Sequence, residues 1–171
     1  MLKGEDIVVL LKLSLADEAW TVRSLAEETG IPRSGVHRAL KRLAAAGLFD
    51  ERRRQVSVSN AEEFLLHAVR YLLPPERDGE SRGIPTAWAA EPLASRISSS
   101  PDELPPVWPD ARGRVRGLSL HPLHAAAPEA ARRDPDLGEM LALVDAVRIG
   151  DARVRGVAAR LLSERLDQAA T

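Results

Sequence analysis

The stretch Gly30-Ile31-Pro32-Arg33-Ser34-Gly35-Val36-His37-Arg38-Ala39-Leu40-Lys41-Arg42-Leu43 decides how the first half of the chain is read. Val36, Leu40 and Leu43 recur at i, i+4 and i+7, the spacing of one helical face, and predict a helix over 33–46 that Gly47 stops. With those three turned inward, Ser34, His37, Arg38 and Lys41 fall on the solvent side. Gly30 stands where the end of a preceding helix favours a left-handed residue, and Pro32 cannot continue that helix. Upstream, Thr21 is suited to cap a helix over 22–29 that carries Val22, Leu25 and Ala26 on one face. Trp20-Thr21-Val22 is a candidate short strand, and the apolar run Ile7 to Leu13 predicts a mostly buried first helix over 5–15. Downstream, 48–51 and 55–59 read as two strands joined by a basic turn, Arg52-Arg53-Arg54, with Val56 and Val58 alternating with polar residues. Asn60 with Glu63 three residues on suggests a capping box for a fourth helix over 61–73, closed by Pro74-Pro75.

The order helix, short strand, helix, tight turn, helix, basic hairpin resembles a winged helix-turn-helix over residues 5–73. In that pattern Ala26 lies where two helices cross, Gly30 at the turn between them, and Val36 on the buried face of the reading helix. The stretch 30–43 is similar to the reading helix of the regulators called MarR-like or IclR-like. The resemblance implies duplex DNA as partner, with helix 33–46 in the major groove. Its contacts would be Arg33, Ser34, His37, Arg38, Lys41 and Arg42, with Arg52, Arg53 and Arg54 of the wing on flanking DNA. Arg33 and Ser34 also stand beside free backbone N–H groups that favour phosphate. The plain alternative for such a face is solvated surface, and some winged helices bind only protein. Ala26, Gly30, Val36 and the basic hairpin together favour DNA; for His37 a capping or solvent role competes with a groove contact.

Charge distribution agrees. The net charge is −1, and residues 1–73 hold eleven Lys/Arg against ten Asp/Glu. Residues 31–58 alone hold seven basic side chains against two acidic ones.

Composition bounds the rest. Of 171 residues, 44% are hydrophobic and 29% charged, which suits a soluble globular chain. Aromatics are only 4%, so the core must come from Leu, Val and Ala, a helix-favouring set. Cysteine is absent, which removes disulfides, thiolate zinc sites and cysteine nucleophiles. The first apolar run contains Lys12 and no small-residue cleavage pattern, and no run approaches the ~20 apolar residues of a membrane span. A cytoplasmic protein is expected. His121 and His124 are separated by Pro122 with no further ligand near, Gly79 and Gly83 lie in a polar linker, and Asp102-Glu103 sits among prolines. No enzyme, cofactor or metal site is expected from these.

Eight of the twelve prolines fall in 74–110, together with Ser98-Ser99-Ser100. This segment is expected to connect a winged helix-turn-helix at 1–73 to a C-terminal helical pairing or partner region at 111–171. Within it, Thr86 is placed to cap a short helix holding Trp88, which Pro92 interrupts. Val107-Trp108 and Val115 to Leu120 suggest strands, and 136–167 a helix broken near Gly150-Asp151. The fold class expected is mainly α with a small β wing, an α+β chain. Asp145, Arg148, Arg153 and Arg155 loosely resemble the tails of prokaryotic winged-helix regulators that act beside a nucleotidyltransferase-type toxin. The arginine cluster beside a helix start that Asp151 can cap favours an anion, and a partner or effector site is expected at Arg148, Arg153 and Arg155; the alternative is surface ion pairing. The reading is a sequence-specific transcriptional regulator, a dimeric autorepressor pairing through helix 61–73 and the apolar face of 139–166. The alternative is an antitoxin-like adaptor that neutralises a partner enzyme encoded nearby.

Overall fold

A computed structural model describes residues 1–171. The helices are α1 (Gly4–Leu15), α2 (Val22–Thr29), α3 (Arg33–Ala45), α4 (Val58–His67), α5 (Val69–Leu72), α6 (Ala127–Arg133), α7 (Pro135–Ile149) and α8 (Ala152–Ala169). The strands are β1 (Phe49–Asp50), β2 (Gln55–Val56), β3 (Arg77–Pro85), β4 (Pro106–Pro109) and β5 (Val115–Leu120). The chain is α+β and mainly helical, with no helix long and apolar enough to cross a membrane.

Two helices carry the core. In α1 every residue from Asp6 to Leu13 is buried, and in α7 so are Leu137 and all residues from Met140 to Arg148. A helix apolar on every side has no solvent face, so α7 takes the centre. Around it lie α8, α6, α5, α4, α1 and the 3-10 turn Ala87–Ala89. A single apolar cluster runs from Ile7 to Leu166, so the winged module and the second half share one core. Lys12 pins them together, 2.7 Å from both Asp134 at the head of α7 and Glu28 of α2. Burial pulls the Lys12 ammonium down, but bonds to Asp134 and Glu28 outweigh it and leave its pKa above the ordinary value.

The N-terminal helices start and stop within one residue of where the sequence reading puts them. Thr21 Oγ1 accepts from the Ser24 amide at 3.0 Å while Ser24 Oγ accepts from the Thr21 amide at 2.9 Å, closing a capping box on α2. Gly30 ends α2 at φ 76°, a conformation that disfavours any side chain.

Four expectations are corrected. Trp20-Thr21-Val22 forms no strand, because Trp20 is buried as an anchor for the wing. The second wing strand stops at Val56, and α4 begins at Val58 rather than 61. Asn60 does not cap that helix: its side-chain amide donates to the Gly47 carbonyl at 2.8 Å and ties α4 to the end of α3. Ala68, at φ −112°, then splits the expected helix into α4 and the short α5.

The segment 74–110 does more than connect. β3 runs antiparallel to both β4 and β5, and β4 meets β5 in parallel at Pro106 opposite Leu118, closing three strands on themselves. The boundary expected at 110 therefore runs through a sheet. Such tight closure needs bare backbone: a Cβ on Gly83 would lie 2.0 Å from the Trp108 carbonyl oxygen, and one on Gly117 2.0 Å from that of Pro105.

Most of the apolar surface expected to pair two copies is filled from within one chain, although Tyr71 and Leu72 of α5 stay exposed. α7 has no free face, the stripe Val154, Ala158, Leu161, Leu162 and Leu166 of α8 is buried, and so are Ala61 and Leu65 of α4.

Candidate nucleic-acid interface

The helix pair α2–α3 is held by its turn. Thr29 Oγ1 donates to the Leu25 carbonyl at 2.6 Å and accepts from the Ile31 amide at 3.3 Å, and Ile31 is fully buried beneath the turn. This fixes where α3 leaves the body. α3 buries Gly35, Val36, Ala39, Leu40 and Leu43, and presents Arg33, Ser34, His37, Arg38 and Lys41 to solvent. None of these five side chains has a hydrogen-bond or ion-pair partner within the chain. Water alone solvates them, which leaves all five free to bond a partner from outside.

The N-terminus of α3 is also open. Its N-cap is Pro32, which makes no side-chain cap, so the first amides of the helix point outward unsatisfied. A helix end with free amides and Arg33 beside it is suited to a phosphate.

Arg42 behaves differently from its neighbours. It turns inward, Nη2 lying 2.6 Å from Glu5 and 2.7 Å from Asp6, with Nε 2.8 Å from Asp6. Asp6 is fully buried, and the bonds from its carboxylate hold the Arg42 guanidinium above its ordinary pKa. Arg42 thus clamps α3 to α1 and leaves the set expected to touch DNA. Replacing Arg42 by Ala strands the Asp6 charge, and we expect a loss of about 3 kcal/mol in urea unfolding. The exposed face of α3 is untouched by that change.

The wing is a short hairpin fastened at its base. Asp50 Oδ1 accepts from the amides of Arg52 at 2.9 Å and Arg53 at 3.0 Å, shaping the turn. Those two bonds, the one from Arg53 foremost, hold the Asp50 carboxyl below its ordinary pKa. Arg54 adopts φ 56°, lays its guanidinium 4.0 Å over the Trp20 ring and donates to the Trp20 carbonyl at 2.7 Å. Trp20 in turn meets Phe49 edge-on, with ring centroids 6.0 Å apart. The sequence reading missed this anchor, since a single tryptophan beside a helix start has no periodicity to reveal it. Arg52 and Arg53 are left exposed at the tip, Arg53 only 3.9 Å from Asp50 in a loose surface pair.

The C-terminal cluster does not form one surface. Arg148 is buried, paired with fully buried Asp145 at 3.0 Å, and donates to the carbonyls of Leu73 at 2.8 Å and Pro74 at 3.2 Å. Asp145 also accepts from Thr86 Oγ1 at 2.7 Å and Trp108 Nε1 at 2.8 Å. Arg148 is therefore an internal clasp between α7 and the end of α5, not a partner or effector contact. Arg155 lies along its own helix with Nε 3.4 Å from the Asp151 carbonyl, and Arg153 faces a separate cleft. Asp151 does cap α8, accepting from the Val154 amide at 2.9 Å. The two histidines part ways: His121 pairs with Asp78 at 2.6 Å, while His124 accepts from the Ala126 amide.

An uncapped helix bearing unpartnered basic and polar side chains, seated on a glycine turn and flanked by an arginine-tipped hairpin, defines a winged helix-turn-helix DNA-binding module. Residues 7–51 match the family model described as the IclR helix-turn-helix domain, which spans α1, α2, α3 and β1 and stops before the wing tip. No curated protein and no solved structure matches the chain. The chain carries an IclR-type helix-turn-helix, and the protein is a DNA-binding transcriptional regulator.

Proposed function

We propose that the protein is a sequence-specific repressor that reads the major groove with α3 and steadies itself on flanking DNA with the wing. The observation that carries this reading is the row Arg33, Ser34, His37, Arg38 and Lys41, exposed and unpartnered on the helix the IclR-type match covers. Arg and Ser at the front of such a helix bond base edges, whereas Arg52 and Arg53 at the wing tip bond phosphates and carry no sequence code. One α3 spans only a half-site, so the reading includes two copies of the chain on an inverted repeat. Their pairing uses neither α7 nor the buried stripe of α8. A protein that works on chromosomal DNA is expected in the cytoplasm.

The test is fluorescence anisotropy with duplex DNA from upstream of the protein's own gene and with scrambled duplex of equal length. The wild type is expected to prefer the upstream fragment. Changing Arg52 and Arg53 to Ala is expected to lower affinity for both duplexes alike. The slope of log K against log salt should shrink by about 0.9 for each phosphate no longer neutralised. An unchanged slope would remove the wing tip from the interface, and equal affinity for the two duplexes would remove autoregulation from the reading.

A further inference from the structure

The end of β3, the segment 86–91, the turn after β4, α6 and the first half of α7 enclose a cleft of about 390 Å³ that the DNA-binding reading does not use. Ile84, Ala90 and Ala131 line it and are each only half-buried, which leaves apolar surface open to water within a concave wall. Trp108 lines it too, 3% exposed and held in place by the bond from its Nε1 to Asp145 at 2.8 Å. Pro85, Pro128 and Pro135 supply three more sides, and their rings have almost no rotamer freedom to lose when the space is filled. The volume falls within the ~300–1,000 Å³ of small-molecule sites.

The charges at the rim are matched within the chain. Arg112 lies 3.4 Å from both Asp110 and Glu129, Arg132 lies 2.9 Å from Glu129, and Glu139 pairs with Arg165 of α8. Glu91 has no ion pair; it stands exposed at the rim, where its carboxylate accepts from the Ser95 hydroxyl at 2.9 Å and water screens its pull on a cation. No arginine at the rim is left free to take an anion. We propose that this cleft binds a small uncharged aromatic molecule, about two fused rings in size, between the proline rings and Trp108. Proline rings and an indole both pack well against a flat aromatic face, and an uncharged ligand loses no hydration of a charge on entering.

The experiment titrates the full chain with indole-3-acetamide by calorimetry. Indole-3-acetate and tryptamine, which carry a negative and a positive charge on the same ring system, are titrated alongside. Saturable one-to-one binding of the amide is expected, with both charged analogues at least about threefold weaker, because a charge would leave water without gaining a partner. Methyl NMR of the wild type should place the largest ligand-induced shifts on Ile84, Ala90 and Ala131. Ala90→Phe puts a ring of the protein's own in the cleft and Pro128→Glu puts a charge there; each should weaken binding about tenfold. Both positions are only half-buried, and thermal unfolding without ligand checks that the variants fold. The proposal is overturned if the amide does not saturate, if its shifts centre elsewhere, or if either charged analogue binds as tightly. It is overturned too if either folded variant binds the amide as the wild type does.

Discussion

Replacing Arg148 by Ala is expected to cost about 3–5 kcal/mol of folding stability, as much as truncating a large core side chain. A domain of ordinary stability holds only ~5–15 kcal/mol, so the variant should unfold at markedly lower urea or fail to accumulate. The reason is geometric. Arg148 bonds Asp145, which is 1% exposed, and also supplies the donors for the Leu73 and Pro74 carbonyls where α5 ends. Removing it strands a buried carboxylate and two carbonyls at once. Burial pushes the Asp145 carboxyl above its ordinary pKa, against the pull of Arg148, Thr86 and Trp108. Without Arg148 that rise must grow. A carboxyl whose folded pKa exceeds its unfolded one destabilises the fold above the unfolded value, so the variant should regain stability as pH falls and Asp145 takes up a proton. Arg155→Ala, in the next helix and partnered only along that helix, should change stability by under about 0.5 kcal/mol. Equal stability of the two variants would contradict the clasp.

The second large effect falls on DNA. Arg38→Ala combined with Lys41→Ala is expected to weaken operator binding by about 2–6 kcal/mol, roughly one and a half to four orders of magnitude in Kd, at ~1–3 kcal/mol for each base-reading side chain. Urea unfolding of the same variant should match the wild type, because both side chains are exposed and make no hydrogen bond or ion pair within the chain. Arg42→Ala should show the reverse pattern, lower stability with the reading face intact. One helix thus carries an internal clamp and the proposed external reader within five residues, and the two are separable by measurement.

The contrast between Arg42 and Arg38 also shows how far the sequence could be read. Helical period placed Val36, Leu40 and Leu43 inside and Arg38 and Lys41 outside, and Gly30 with Thr21 marked both ends of α2. Period alone could not place Arg42, which lies at the edge of the buried stripe. Its direction is set by Asp6, thirty-six residues away. Arg148 escaped for the same reason: its partners include carbonyls seventy-five and seventy-four residues upstream, which no local pattern reveals. β3 was invisible because Arg77-Asp78-Gly79-Glu80 is polar on both faces, and its pairing rests on backbone and on glycines that let strands approach closely. Pro74 and Pro75 read as a domain end, yet the clasp of Arg148 on that end joins the two halves.

The proposed regulation depends on the exposed face of α3 reading base sequence. The direct measurement is the ratio of affinities for the preferred duplex and a scrambled one, taken at a single salt concentration for the wild type and for the Arg38→Ala, Lys41→Ala variant. If α3 is the reader, the ratio collapses towards one, while binding to scrambled DNA falls only by the charge attraction that the two side chains supplied. A variant that keeps the wild-type ratio would contradict it.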